Sequence, residues 1–115
     1  MHKIDNLKIW EKSIDLTKSV YHLVSELPSD EKYGLNTQIK RSSVSIPSNI
    51  AEGAGWNSKK EFKYFLNVAG GSAYELQTQL ILLIELNLIA KEKVNPVIDL
   101  CIEIQKLNYS FQQKL

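Results

Sequence analysis

The sequence predicts an all-α protein: one domain over residues 1–115, folded as an antiparallel up-down-up-down four-helix bundle and assembled into a homo-oligomer. Three observations predict it. Apolar residues recur at four-three spacing in four successive stretches, and no alternating apolar/polar run marks a strand. The three prolines and five glycines cluster instead of scattering. A chain of 115 residues can bury one core, with a thin margin unless its helices pack well or subunits associate.

The first helix is expected over residues 7–27, stopped by Pro28, which lacks an amide hydrogen. It carries two apolar stripes: Trp10, Ile14, Thr17, Tyr21 and Val24 on one face, and Ile9, Leu16, Val20, Leu23 and Leu27 on another. Ser29-Asp30-Glu31 reads as a turn or a helix start. The second helix holds Leu35, Ile39, Ser42, Ser43, Ile46 and Ile50, with Pro47 inside it as an expected kink. Glu52-Gly53-Ala54-Gly55 reads as its end, through a left-handed glycine cap.

Ser58 and Glu61 form a capping box at the start of the third helix. There Phe62, Leu66, Ala69, Ala73, Leu76, Leu80 and Leu83 repeat four-three to about Asn87. Gly70 and Gly71 in its middle cost roughly 2 kcal/mol against alanine, which predicts close approach of another helix. The fourth helix is expected from Glu92 or Val94, with Pro96 in its first turn. Its inner stripe is Val97, Leu100, Cys101, Ile104, Leu107 and Phe111, and Ile98, Ile102 and Tyr109 form a second. Short connections favour antiparallel neighbours.

A bundle needs one apolar stripe per helix, and the first and fourth helices offer two. Either these helices are simply broad-faced, or the spare stripes pack subunits together. The second reading predicts an oligomer interface of Ile9, Leu16, Val20, Leu23, Ile98, Ile102 and Tyr109.

Part of the chain has a specific resemblance. Tyr33-Gly34-Leu35, the run Gln38 to Gly53 containing Ser45-Ile46-Pro47-Ser48-Asn49-Ile50-Ala51-Glu52-Gly53, Phe65-Leu66, and Gly71-Ser72-Ala73-Tyr74-Glu75-Leu76-Gln77-Thr78-Gln79-Leu80 resemble the bacterial four-helix-bundle family labelled 23S rRNA intervening-sequence proteins or S23 ribosomal proteins. Leu7, Trp10 and Leu27-Pro28 extend the resemblance over nearly the whole chain. It implies a left-handed up-down bundle that assembles as a homopentamer. The family includes proteins encoded within insertions in ribosomal RNA genes. It is also similar to accessory proteins of diversity-generating retroelements, which bind nucleic acid and a reverse transcriptase through a basic pentamer surface. The residues also support a packing reading of the motif. Ser42, Ser43, Ser45, Ser48 and Ala51 let helices approach, Gly71-Ser72-Ala73 provides the matching contact, and Asn49 and Glu52 satisfy backbone groups.

The net charge of +1 gives no global attraction to nucleic acid or membrane, so any such binding must be local. Charge is unevenly placed: residues 1–31 carry four lysines against six acids, 32–63 six basic residues against two, and 64–115 four lysines against five acids. The basic segment includes Lys32, and it yields the candidate nucleic-acid-binding residues Lys40, Arg41, Trp56, Lys59, Lys60 and Lys63, with Asn57 beside them. Lysines supply phosphate contacts and an exposed aromatic stacks on a base. A solvated face at a helix start explains the same lysines, and a single arginine is sparse for a dedicated binder. The expected partners are therefore further copies of the chain, then RNA or DNA, a reverse transcriptase or another protein. A scaffold that binds only protein is the alternative.

Nothing in the sequence assembles a reaction centre. Glu-x-x-His pairs and phosphate loops are absent, and His2 and His22 lie in different contexts. Cys101 reads as a small core residue. Glu75 and Glu85 are candidates for partial burial but have no partner chemistry. The expectation is a non-enzyme with no metal and no cofactor. One cysteine, no signal-peptide core and a longest apolar run of Leu80 to Ile84 point to a cytoplasmic protein with no membrane partner.

Overall fold

A computed structural model of the protein describes residues 3–28 and 34–115. The described residues form a short 3-10 turn, Ile4–Asn6, and four helices: α1 (Lys8–Val24), α2 (Leu35–Gly55), α3 (Lys59–Glu85) and α4 (Lys91–Gln113), with no strand among them. α1 and α3 each pack against both α2 and α4, which makes a four-helix bundle 44 Å long. The turn expected at Ser29-Asp30-Glu31 lies outside the described residues, as do His2, Lys32 and Tyr33.

The four-three stripe of α3 is the spine of the core. Phe62, Leu66, Ala69, Ala73, Leu76, Leu80 and Leu83 are all buried, against Ile39, Ile46 and Ile50 of α2 and Val94, Val97, Cys101 and Ile104 of α4. Contacts between α2 and α3, α3 and α4, and α1 and α4 run in opposite chain order. Ser42 meets Gln79 and Ser45 meets Ser72; Ala73 meets Cys101 and Leu66 meets Asn108; Lys12 meets Glu103 and Glu26 meets Lys93.

On α1 the structure exchanges the two stripes. Ile9, Leu16, Val20 and Leu23, expected at an oligomer interface, are buried within the single chain. Their branched aliphatic side chains make no hydrogen-bond demands, so this stripe enters the core. The other stripe stays outside: Trp10, Ile14 and Thr17 are half-buried and Tyr21 is exposed. Only Val24 of that stripe is buried. α1 also ends earlier than Leu27, because Glu26 and Leu27 donate to Leu23 and Val24 in a tightened last turn.

α2 runs through Pro47 as continuous helix. A proline at 47 leaves the carbonyl of Ser43 without its usual amide donor. The Thr17 hydroxyl of α1 lies 3.0 Å from that carbonyl and shares its proton with Ser13 O, also at 3.0 Å. A cross-helix hydroxyl thus repairs the break. Asn49 acts as expected, donating to Ser45 O at 2.7 Å.

Gly53 departs from expectation. It is no left-handed cap, since none of the described glycines has positive φ. It sits buried inside the helix, where a Cβ would lie 2.8 Å from Phe65 Cβ and 3.0 Å from Phe62 Cδ1. The glycine is there for close helix approach. In α3 only one of the paired glycines behaves this way: a Cβ on Gly70 would meet Asn108 Nδ2 at 3.0 Å, while Gly71 faces open space.

Ser58 caps α3 as expected, accepting from Glu61 N at 3.3 Å. α3 ends on Asn87, at φ 57°. Asn87 N donates to Ile84 O and Leu88 N to Leu83 O, both at 2.9 Å, the paired bonds of a Schellman motif. Asn87→Ala should cost about 1 kcal/mol, because alanine tolerates the left-handed region less well; Asn87→Gly should be neutral or stabilising. Urea denaturation of the two variants checks this. α4 starts at Lys91, so Pro96 falls a turn deeper than expected.

Candidate nucleic-acid interface

The three-residue connection between α2 and α3 carries the exposed Trp56, in extended conformation at φ −80° and ψ 141°. Lys59, Lys60 and Lys63 follow on the first turns of α3, all exposed. Among the described residues the ion pairs are Lys12–Glu103 and Lys93–Glu26, so these three lysines face water uncompensated by a salt bridge. Trp56, Asn57, Lys59, Lys60 and Lys63 all lie at the end of the bundle where α2 connects to α3.

Two predicted members are elsewhere. Lys40 and Arg41 lie in the first half of α2, with Arg41 roughly 21 Å of helix rise from its end at Gly55. Lys40 instead places its ammonium over the Tyr21 ring, 5.0 Å from the centroid. Residues close in sequence along a helix separate by about 1.5 Å each, which carries these two away from the connection.

The structure adds residues that the sequence reading missed. Phe111 packs edge-on against Phe62 at 5.4 Å, and Asn108 donates to Leu66 O, so the end of α4 lies beside the start of α3. This brings exposed Lys114 to the lysine-rich end, and the contact order of α1 brings exposed Lys8 there as well. Tyr64, a turn beyond Lys60, is 59% exposed at the same end. Only the pairing of helix ends reveals these neighbours. Glu52, Glu61, Asp5 and Glu11 also lie near this end, and the lysines dominate its α3 side.

The remaining candidates sort by burial. Glu75 and Glu85, read as candidates for partial burial, are exposed. His22 is exposed and lines a shallow groove between α1 and α4 with Lys18, Glu26, Glu92 and Lys93. Cys101 is buried, and its thiol donates to Ala73 O at 3.1 Å. Burial pushes its pKa up from 9.0 to about 11, against smaller lowering effects from Gln105 and Gln77. The folded thiol therefore keeps its proton where the unfolded one loses it. Its stabilising contribution is complete below pH 9 and declines as pH rises towards 11, by about 1.4 kcal/mol per unit. Denaturation curves across this window should be flatter in Cys101→Ala than in the wild type.

Of the predicted interface residues, Ile98 and Ile102 are half-buried and Tyr109 is 69% exposed. They share the α3-facing side of α4 with Gln105, which donates to Gln77 Oε1 at 2.8 Å. Tyr74 and Ile81 of α3 are also exposed on this face. Across the bundle, the α1–α2 side shows Trp10, Ile14, Tyr21 and Val44. Among the described residues, no helix is long and apolar enough to cross a membrane.

Comparison with known proteins is consistent with this architecture. The sequence profile described as 23S rRNA-intervening sequence protein matches residues 5–110. A crystal structure from Bacteroides thetaiotaomicron VPI-5482, a protein of unknown function from the S23 ribosomal protein family, superposes with a TM-score of 0.86 at 30% identity. It covers 96% of this chain and 99% of its own. No curated protein matches the chain. On the strength of a match across almost its full length, the chain belongs to the 23S rRNA-intervening sequence protein family.

Proposed function

We propose that this protein is a non-enzymatic, homo-oligomeric nucleic-acid-binding protein, built as an up-down-up-down bundle whose lysine-rich end contacts phosphate. One observation carries the reading: exposed Lys59, Lys60 and Lys63 and exposed Trp56 lie at the same end of the bundle in a member of this family. Helix electrostatics sharpens it. The start of a helix carries partial positive charge and favours acidic residues, so three lysines in the first turns of α3 work slightly against the helix. Folding alone does not account for them, and attraction to a polyanion does.

The oligomer is supported by two apolar faces on opposite sides of the bundle. Trp10, Ile14, Tyr21 and Val44 form one; Tyr74, Ile81, Ile102 and Tyr109 form the other. Two different faces on opposite sides suit a head-to-tail contact repeated around a ring, and not a two-fold dimer. Five copies is the number the family resemblance implies. A ring multiplies a modest lysine patch by its copy number and raises avidity without new contacts.

A mobility-shift titration with RNA and DNA at low salt tests binding, and no shift at micromolar protein contradicts it. Light scattering tests assembly. The wild type should have several times the 13.1 kDa chain mass, and Ile102→Glu/Tyr109→Glu should return it to a single chain. A wild-type monomer at micromolar concentration contradicts the ring.

A further inference from the structure

We infer that the lysine-rich end recognises unpaired polynucleotide, with exposed bases stacking on Trp56 and Tyr64 while the lysines hold the phosphates. The inference rests on the phosphate-binding reading above and adds the strand state of the ligand and a residue, Tyr64, that takes part.

The two rings are unusual occupants of a cationic surface. Trp56 is 49% and Tyr64 59% exposed. A large aromatic left half in water forgoes about half of the burial that would stabilise the fold. The backbone that carries Trp56 is hydrogen-bonded, and the Tyr64 ring has an aromatic neighbour. Trp56 follows the last turn of α2, its amide donating to Gly53 O at 3.2 Å. Tyr64 stands edge-on to Phe65, with ring centroids 5.1 Å apart and planes at 83°. Phe65 belongs to the close approach of α2 and α3, its Cβ lying 2.8 Å from where a Cβ of residue 53 would be. The backbone contact at Gly53 therefore fixes α2 and α3 at the point where both rings emerge. A ring already set against a neighbour, as Tyr64 is against Phe65, loses little freedom when a base stacks on it.

The residue types at this end suit an unpaired strand better than a duplex groove. Lys60 precedes Tyr64 by four residues on α3 and so shares its helix face, which places a phosphate contact beside the stacking surface. The protein's single arginine, Arg41, lies far along α2. The end thus lacks the guanidinium that reads base edges in a duplex groove. Stacking is sequence-tolerant because every base presents a flat π-face. Unpaired RNA and DNA share this chemistry, and the test separates them.

Fluorescence anisotropy at fixed low salt, with single-stranded RNA, single-stranded DNA and a DNA duplex of equal length, tests the inference. Both single strands should bind at least about tenfold more tightly than the duplex. Trp56→Ala and Tyr64→Ala should each weaken single-strand binding roughly five- to hundredfold, with little change on the duplex and only a small fall in thermal midpoint. Trp56→Phe should retain most of the affinity. Single-stranded DNA should quench indole emission in the wild type and not in Trp56→Phe, Trp10 being the remaining tryptophan. Equal affinity for duplex and single strand, or alanine variants that bind as the wild type does, overturns base stacking. If lysine reversal still weakens binding in that case, the phosphate reading survives alone. Absence of binding to all three probes overturns both.

Discussion

Reversing Lys59, Lys60 and Lys63 to glutamate together is expected to weaken nucleic-acid binding by roughly a hundredfold or more, with the fold intact. Each lysine in contact with a phosphate is worth about 1 kcal/mol in water, and reversal replaces that attraction with repulsion. The three side chains are exposed and without salt bridges, so their loss leaves no buried group unsatisfied. Glutamate near the start of α3 also suits the helix dipole, so the thermal midpoint should hold or rise slightly. Reversal of Lys40 and Arg41, far along α2, is the matched control and should have much the smaller effect. An anisotropy titration of both variants decides this. Equal effects would mean that overall charge matters and the location of the lysines does not.

Substitution at Gly53 should destabilise the protein, and the more so the larger the side chain. Any added Cβ meets Phe65 Cβ at 2.8 Å, Phe62 Cδ1 at 3.0 Å and the Phe62 carbonyl at 3.3 Å. Two of those atoms belong to side chains held in packed positions and the third to backbone, so α2 and α3 must move apart. Gly53→Ala gains about 1 kcal/mol in helix propensity and loses about 1–3 kcal/mol to overpacking. Gly53→Leu has no comparable compensation and should prevent stable folding. Gly71→Ala is the opposite case. Its Cβ meets nothing within 4 Å, so the full propensity gain of about 1 kcal/mol should appear as stabilisation. Thermal denaturation of the two alanine variants should therefore move in opposite directions. A stabilised Gly53→Ala would mean that α2 and α3 are farther apart than described.

The contrast between these glycines shows what the sequence made legible. The α3 stripe was readable because seven apolar residues at four-three spacing admit a single buried face. The capping box was readable because it is local to Ser58 and Glu61. Gly53 was not, because a glycine near a helix end has the same local signature whether it caps the helix or admits a neighbour. Which one it does is decided by Phe62 and Phe65 of another helix. The stripes of α1 were both visible and their order was reversed. The inward stripe is Ile, Leu and Val, while the outward one includes Trp10, Thr17 and Tyr21, which carry polar groups. That difference was the available signal. The Thr17 hydroxyl that satisfies Ser43 across from Pro47 is a tertiary pairing with no mark in sequence spacing.

The candidate interface was legible to the extent that it is contiguous. Trp56 to Lys63 is a short segment at a helix junction, and its residues stay together. Lys40 and Arg41 shared its composition window and not its position. Lys8 and Lys114 entered through the pairing of helix ends, which is a property of the bundle and not of any one segment.

The most direct test of the phosphate-binding claim is the salt dependence of wild-type affinity for a single-stranded oligonucleotide. Three lysines on phosphates give a slope of about −2 in log affinity against log salt, and Lys8, Lys114 and further copies in a ring make it steeper. Affinity should fall at least about tenfold between about 50 and 200 mM monovalent salt. Affinity that stays constant across that range, or no binding at its lower end, would contradict the account.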